Sequence, residues 1–268
     1  APQHRIGNMG YEKLSLMNNM NFQLTDKSSL ASSIYFIQNR TDWFGEKKYS
    51  RLLIPNIQFN TQLSSNFELS SRVNYSRWRA EVSNEENDLF HPEMYFSWDG
   101  LPNNRLMAGW DYRYQNFKRS SVPEKSQQLL GVYVQDEYHL NLFSVYSALR
   151  FDKAENLQGV FSPKIAVLYS PVDFLKIRGS FGKGFHAPSV QELYEKGAGH
   201  GGRSYRFGNE NLKPEYSYSA TFNTQIKMYN GLEFLLYGYH SKIDNMITPV
   251  YKGPWEEDPT KYKWVRTN

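Results

Sequence analysis

The 268 residues include no cysteine, so neither a disulfide framework nor a thiolate metal site can hold the chain together. No run approaches the roughly eighteen apolar residues that a membrane-crossing helix needs, which excludes a helical membrane protein. A block of like charge is missing as well. Lys and Arg number 31 against 27 Asp and Glu, a formal charge of +4, and the densest basic pair, Lys47 and Lys48, reads as a solvated loop. Nucleic acid is therefore not an expected partner. Ala1-Pro2-Gln3-His4 opens no charged-then-apolar leader. The expectation is that a signal peptide has been removed or that the chain starts in mid-protein.

What the chain has in excess is aromatic residues: Tyr 20, Phe 17 and Trp 6, or 16 % of the total, against a mean hydropathy of only -0.67. Tyrosine and tryptophan accumulate where one end of a ring is apolar and the other hydrogen-bonds, as at a membrane interface. A transmembrane β-barrel reconciles this excess with low hydropathy, because its strands alternate lipid-facing apolar and lumen-facing polar residues.

Period two runs through nearly every segment. Leu14, Leu16, Met20, Phe22 and Leu24 alternate with Ser15, Asn19, Asn21 and Gln23. Tyr216, Tyr218, Ala220, Phe222, Ile226 and Met228 alternate with Glu215, Ser217, Ser219, Thr221, Asn223, Gln225 and Lys227, the most regular strand in the chain. Asn84–His91 and Val250–Thr260 read as polar loops, the register slips near Gly182, and Leu232–Ile247 has a less readable register. Connections near residues 25, 65, 102, 141, 172 and 230 read as short, and those near 46, 87, 122, 157, 199 and 255 as longer and polar. Short turns on one side and longer loops on the other are the pattern of an outer-membrane barrel. The expected fold is all-β, a transmembrane antiparallel up-and-down barrel of about thirteen visible strands. An odd count does not close such a barrel, so residues 1–268 are expected to form part of the barrel domain, without its first and last strands.

The longest connection runs from Gly182 to Ser217, glycine-rich and polar, and holds His186 and His200. Long loops inside regular architecture usually carry function. His4, His91, His139 and His240 are scattered without ligand spacing, and no metal site is assigned. Ser189 near His186 invites comparison with an acyl-transfer site, yet no nucleophile elbow surrounds it, so no catalytic residue is assigned.

Gly184-Phe-His-Ala-Pro-Ser-Val-Gln-Glu-Leu-Tyr194, followed by Gly208-Asn-Glu-Asn-Leu-Lys-Pro-Glu-Tyr-Ser217, resembles the paired motif of TonB-dependent outer-membrane receptors. Phe185, Ala187, Pro188, Ser189, Glu192, Leu193 and Tyr194 match the first half. Gly208, Asn209, Asn211, Leu212, Lys213, Pro214, Glu215 and Ser217 match the second. Val132–Glu137 and Phe161–Lys164 also look like strand signatures of that family. The resemblance covers residues 127 to 268 by motif and the remainder by pattern. Two positions depart from it: His186 replaces the usual arginine and Glu210 the usual proline.

The resemblance implies a barrel of about twenty-two strands in the Gram-negative outer membrane, filled by an N-terminal plug that this chain lacks. It implies active uptake, driven by the TonB complex through that plug, of a scarce nutrient such as haem or a ferric siderophore. The chain would have no cofactor of its own, and its other partners would be outer-membrane lipid and lipopolysaccharide. Receptors of the same family for zinc or cobalamin, a barrel enzyme and a passive porin remain as alternatives. In haem receptors of the family a histidine between the two motifs ligates iron, which places His200, and secondarily His186, among the candidates. Arg203, Tyr205 and Arg206 suit a carboxylate, a propionate or a catecholate, with lipopolysaccharide phosphate or plain solvation as the competing reading.

Overall fold

The computed structural model describes residues 10–43, 46–81, 83–120, 122–155, 157–198 and 204–268. The strands of the wall are β1 (Tyr11–Thr25), β2 (Ser28–Trp43), β3 (Glu46–Ser64), β4 (Phe67–Ala80), β5 (Glu85–Trp98), β6 (Asn104–Arg119), β7 (Val122–Leu140), β8 (Phe143–Ala154), β9 (Val160–Val172) and β10 (Leu175–His186). A short helix, α1 (Val190–Tyr194), and two short strands, β11 (Lys196–Ala198) and β12 (Ser204–Phe207), follow. The chain then re-enters the wall with β13 (Glu215–Lys227) and β14 (Glu233–Asp244) and ends in β15 (Thr248–Trp255) and β16 (Asp258–Thr267).

Twelve strands form one antiparallel up-and-down sheet in the order β1 to β10, β13, β14, the fold class expected from alternation. Tight turns at one end join neighbours. Asn103 and Asn141 take positive φ there (59 and 45), a conformation that asparagine tolerates better than most residues because its short side chain hydrogen-bonds locally.

Register assigns the faces. Directly paired residues lie on one side of a sheet, so Phe22, Leu30 and Phe59 share a face, as do Phe181, Ala220 and the neighbouring Phe222 row. That outer face carries the large exposed apolar side chains, among them Leu16, Ile57, Val132 and Phe222. The inner face carries Gln58, Asn60, Ser70 and Arg72, linked across strands by hydrogen bonds from Ser70 Oγ to Asn60 Oδ1 (2.7 Å) and Arg72 Nε to Gln58 Oε1 (3.3 Å). Strand β14 departs from the rule: Leu235, Tyr237, Tyr239 and Ile243 put exposed apolar groups on the inner face too, which is why its register resists reading.

Four expectations need correction. Residues 85–91 are strand: outer-face Glu86 and Asp88 pair with Arg79 and Arg77, and their polarity marks wall that rises past the apolar band. The connections near 46, 87 and 122 are accordingly short, and the asymmetry of the two ends lies in polar strand overhangs plus one long connection, 187–214. Pairing of β10 with β13 runs unbroken from Leu175 to His186, without a slip at Gly182. Finally, the thirteenth strand, β16, is not in the wall. It joins β15, read above as a loop, and β12 and β11 in a separate four-stranded sheet, order β11-β12-β16-β15. Alternation alone cannot say which sheet a strand belongs to.

A candidate ligand site at the long-loop end

The long connection is anchored inside the wall. Ser189 caps α1: its Oγ accepts from Glu192 N–H (3.2 Å), and Glu192 Oε2 accepts from Ser189 N–H and Oγ–H (2.9 Å each), a reciprocal capping box. The next turn of chain drives Val190, 0 % exposed, onto the inner-face residues Phe117 and Val122, with Tyr194 packed against the cluster. Gln127 Nε2 donates to Pro188 O at 2.8 Å, and Lys125 Nζ lies 4.4 Å over the Tyr194 ring. Burial works against charge on Glu192, but the Ser189 N–H and hydroxyl and the His186 ring outweigh it and hold the carboxyl below its ordinary range.

The second half of the motif closes the connection. A Cβ on Gly208 would lie 2.5 Å from the Leu193 carbonyl carbon and oxygen, so only glycine fits there. Asn209 Oδ1 accepts from Asn211 N–H (3.0 Å), Asn209 Nδ2 donates to Arg266 O (3.1 Å), and Leu212 is 4 % exposed. Asn268 fastens Lys213 by both backbone groups and also reaches Asn245 O (2.7 Å). Glu215 accepts from Ile247 N–H, Pro214 O faces Asn245 Nδ2, and Arg266 Nη2 meets the buried Glu195 at 3.4 Å. The motif residues are thus staples that hold the loops over the wall.

Below α1, a cavity of about 440 Å³ is bounded by Arg113, Arg150, Ser162, Phe185, His186 and Ala187. Arg150 is clamped there between two inner-face carboxylates, Asp111 Oδ1 at 2.5 Å and Asp152 Oδ1 at 2.7 Å, both acids nearly inaccessible. Charge in this wall is neutralised locally, as burial requires.

Of the predicted ligand residues, His200 and Arg203 lie outside the described residues. His186 sits at the end of β10 with Nε2 3.2 Å from Glu192 Oε2, a partner already engaged in capping. Ser189 donates its hydroxyl to that same carboxylate and accepts from Glu192 N–H, so its hydroxyl is taken up in the helix cap, and the His186 ring reaches the carboxylate. Tyr205 and Arg206, adjacent on β12, point to opposite faces of the small sheet.

On one face Tyr205 stacks on Trp255 (centroids 4.2 Å apart), Phe207 meets the same ring edge-on at 5.9 Å, and Lys261 and Lys263 cover the group. On the other, parallel pairing with β16 puts Arg206 opposite Trp264, antiparallel pairing puts Tyr251 opposite Trp264, and Tyr262 lies two residues along. Tyr251, Tyr262 and Trp264 were missed in the sequence. The alternation of Tyr262 and Trp264 with Lys261 and Lys263 was visible, but not the parallel partner that gives them an arginine.

A family model described as TonB dependent receptor-like, beta-barrel, matches residues 3–268. Vitamin B12 transporter BtuB of Vibrio vulnificus is 23% identical over 269 residues, 91% of this chain and 41% of that protein. The iron-regulated outer membrane virulence protein of Vibrio cholerae serotype O1 is 26% identical over 134 residues, 50% of this chain and 21% of that protein. Among solved structures, the siderophore receptor PirA from Pseudomonas aeruginosa superposes with a TM-score of 0.84 at 16% identity, covering 97% of this chain and 51% of that one. The ferric enterobactin receptor PfeA of the same organism gives 0.80 at 12%, covering 97% and 48%. At these identities the likeness shows the fold, and the chain spans 41% of the length of that vitamin B12 transporter and about half of each of the two solved chains.

Proposed function

The chain belongs to the TonB-dependent receptor β-barrel family, Gram-negative outer-membrane proteins that transport rather than catalyse, and from that membership we propose that it supplies wall and outer loops to a receptor for active uptake of an iron complex. One observation carries this reading. Outer-face apolar residues on β3 run from Leu53 to Leu63, about the length a tilted strand needs to cross a bilayer. Above them, at the end bearing α1 and the small sheet, the same face turns polar with Arg51, Tyr49 and Lys47. That end faces the cell exterior in this reading, and the stapled loops sit where a cargo arrives.

The complete receptor joins β1 and β14 to further strands, encloses a plug against the polar inner face, and draws energy from TonB through that plug. Lipid covers the apolar band. The similarity to vitamin B12 transporters supports a second reading, with cobalamin as the cargo.

Uptake by the full-length protein tests both. In a strain stripped of its own receptors, with TonB present or deleted, cells would be offered labelled ferric siderophores, haemin and cyanocobalamin. TonB-dependent accumulation of an iron complex is expected. Accumulation of cobalamin alone selects the second reading, and accumulation that ignores TonB means a passive pore and overturns both.

A further inference from the structure

We propose that His186 and Glu192 form a proton-operated clamp across the joint between β10 and α1, which docks the long connection more firmly on the wall when the His186 ring is charged. The clamp consists of the chain's own contacts and depends on no particular cargo.

Strand β10 ends at His186, and α1 begins at Val190. His186 Nε2 lies 3.2 Å from Glu192 Oε2, so the contact bridges the joint from the last residue of the strand to the third residue of the helix. One partner is in the wall and the other in the connection. His186 is held by pairing with Glu215 of β13, whereas Glu192 comes to it only when α1 is seated with Val190 on Phe117 and Val122. In the motif that this stretch resembles, arginine takes the place of His186. A guanidinium would hold the carboxylate at every pH, and an imidazole holds it as an ion pair only when protonated.

Other charges surround the joint. Glu215, the cross-strand partner of His186, has its carboxylate on Ile247 N–H, and Lys125 of β7 covers the Tyr194 ring. Arg113 and Arg150 border the cavity beneath, the second neutralised by Asp111 and Asp152. Glu192 is itself held as a carboxylate by the Ser189 N–H and hydroxyl. Side chains of these types keep their charges between about pH 5.5 and 8.5, where imidazole changes its own. A second imidazole, His91 of β5, meets Arg113 at 3.5 Å and serves as the control.

Docking brings the carboxylate to the ring, so a proton on His186 favours the docked state and docking favours the proton. Docking therefore strengthens as pH falls through the imidazole range and relaxes as pH rises. Further acidification protonates Glu192 and removes the clamp, which leaves docking firmest in mild acid. The His186 side chain is 53% exposed, so water screens the pair and the response is small.

Amide protection factors across residues 187–198 of the purified full-length receptor in lipid vesicles read the clamp, with each variant first checked for native heat-modifiable migration. Wild type is expected to gain about threefold in protection from about pH 8.5 to about pH 5.5. His186→Arg should hold the higher value across that range, and His186→Gln the lower one. His91→Gln should keep the wild-type profile. A flat profile in wild type overturns the clamp, as does a slope that His186→Gln retains or that His91→Gln abolishes. If His186→Gln misfolds, the contrast between wild type and His186→Arg still decides, since a pH response surviving in the arginine variant overturns the clamp as well. Uptake plays no part in the readout, so the result stands apart from the receptor reading.

Discussion

Ser189 and Glu192 cap one another, each accepting a hydrogen bond that the other donates, and the His186 ring leans on the same carboxylate at 3.2 Å. With Glu192 held below the ordinary value of 4.5, the folded state binds its proton less readily than the unfolded chain does. The stability this contributes is present above that value and is lost as pH falls through the lowered folded value. The amide protection factors at residues 189–195 of the full-length receptor, which correct for the intrinsic pH dependence of exchange, should therefore fall on acidification below about 4.5. In Glu192→Gln they should be lower at neutral pH and nearly independent of pH in that window.

Substitution of Gly208 by alanine forces a Cβ against the backbone of Leu193 and Tyr194, at 2.5 and 2.6 Å, where no flexible side chain can yield. Gly208→Ala should cost about 1–3 kcal/mol of loop docking, read as faster proteolysis within the long connection. Gly179 meets nothing within 4 Å. Gly179→Ala should leave the same cleavage pattern unchanged.

Removal of Arg150 would leave Asp152, 3 % exposed, without its guanidinium partner and Asp111, 4 % exposed, with only the 3.6 Å contacts of Arg113 and His91. Arg150→Met should destabilise the folded receptor by about 3 kcal/mol in urea titrations in lipid vesicles. The triple variant Asp111→Asn, Arg150→Met, Asp152→Asn should recover most of that loss, because no buried charge is left without a partner.

Arginine placed at two adjacent positions of β13 should give opposite outcomes. Phe222→Arg puts a charge on the lipid face and should cost about 2–4 kcal/mol near the bilayer midplane. Asn223→Arg points the same side chain into the polar interior, where it loses the Arg178 hydrogen bond and faces that like charge, and should cost about 1 kcal/mol or less. Unfolding in vesicles distinguishes them.

The wall was legible because lipid and lumen impose opposite chemistry on alternate residues, as Phe222 and Asn223 illustrate. Where lipid ends, the signal ends: Glu86 and Asp88 are strand, yet their outer face meets water and headgroups, so polarity there imitated a loop. The motif from Gly184 to Ser217 was recognised, but its work as a set of staples was not, since Asn209 reaches Arg266 and Lys213 reaches Asn268 across more than fifty residues. The Arg206–Trp264 row of the small sheet escaped for the same reason. Neither β12 nor β16 carries any local sign that the other will be its parallel neighbour.

That parallel pairing also encloses a long stretch of chain. β12 precedes the β13–β14 hairpin and β16 follows it, so setting Arg206 opposite Trp264 ties the whole hairpin into one closed loop. Closing a loop of that length costs chain entropy, which the contacts of the small sheet must offset.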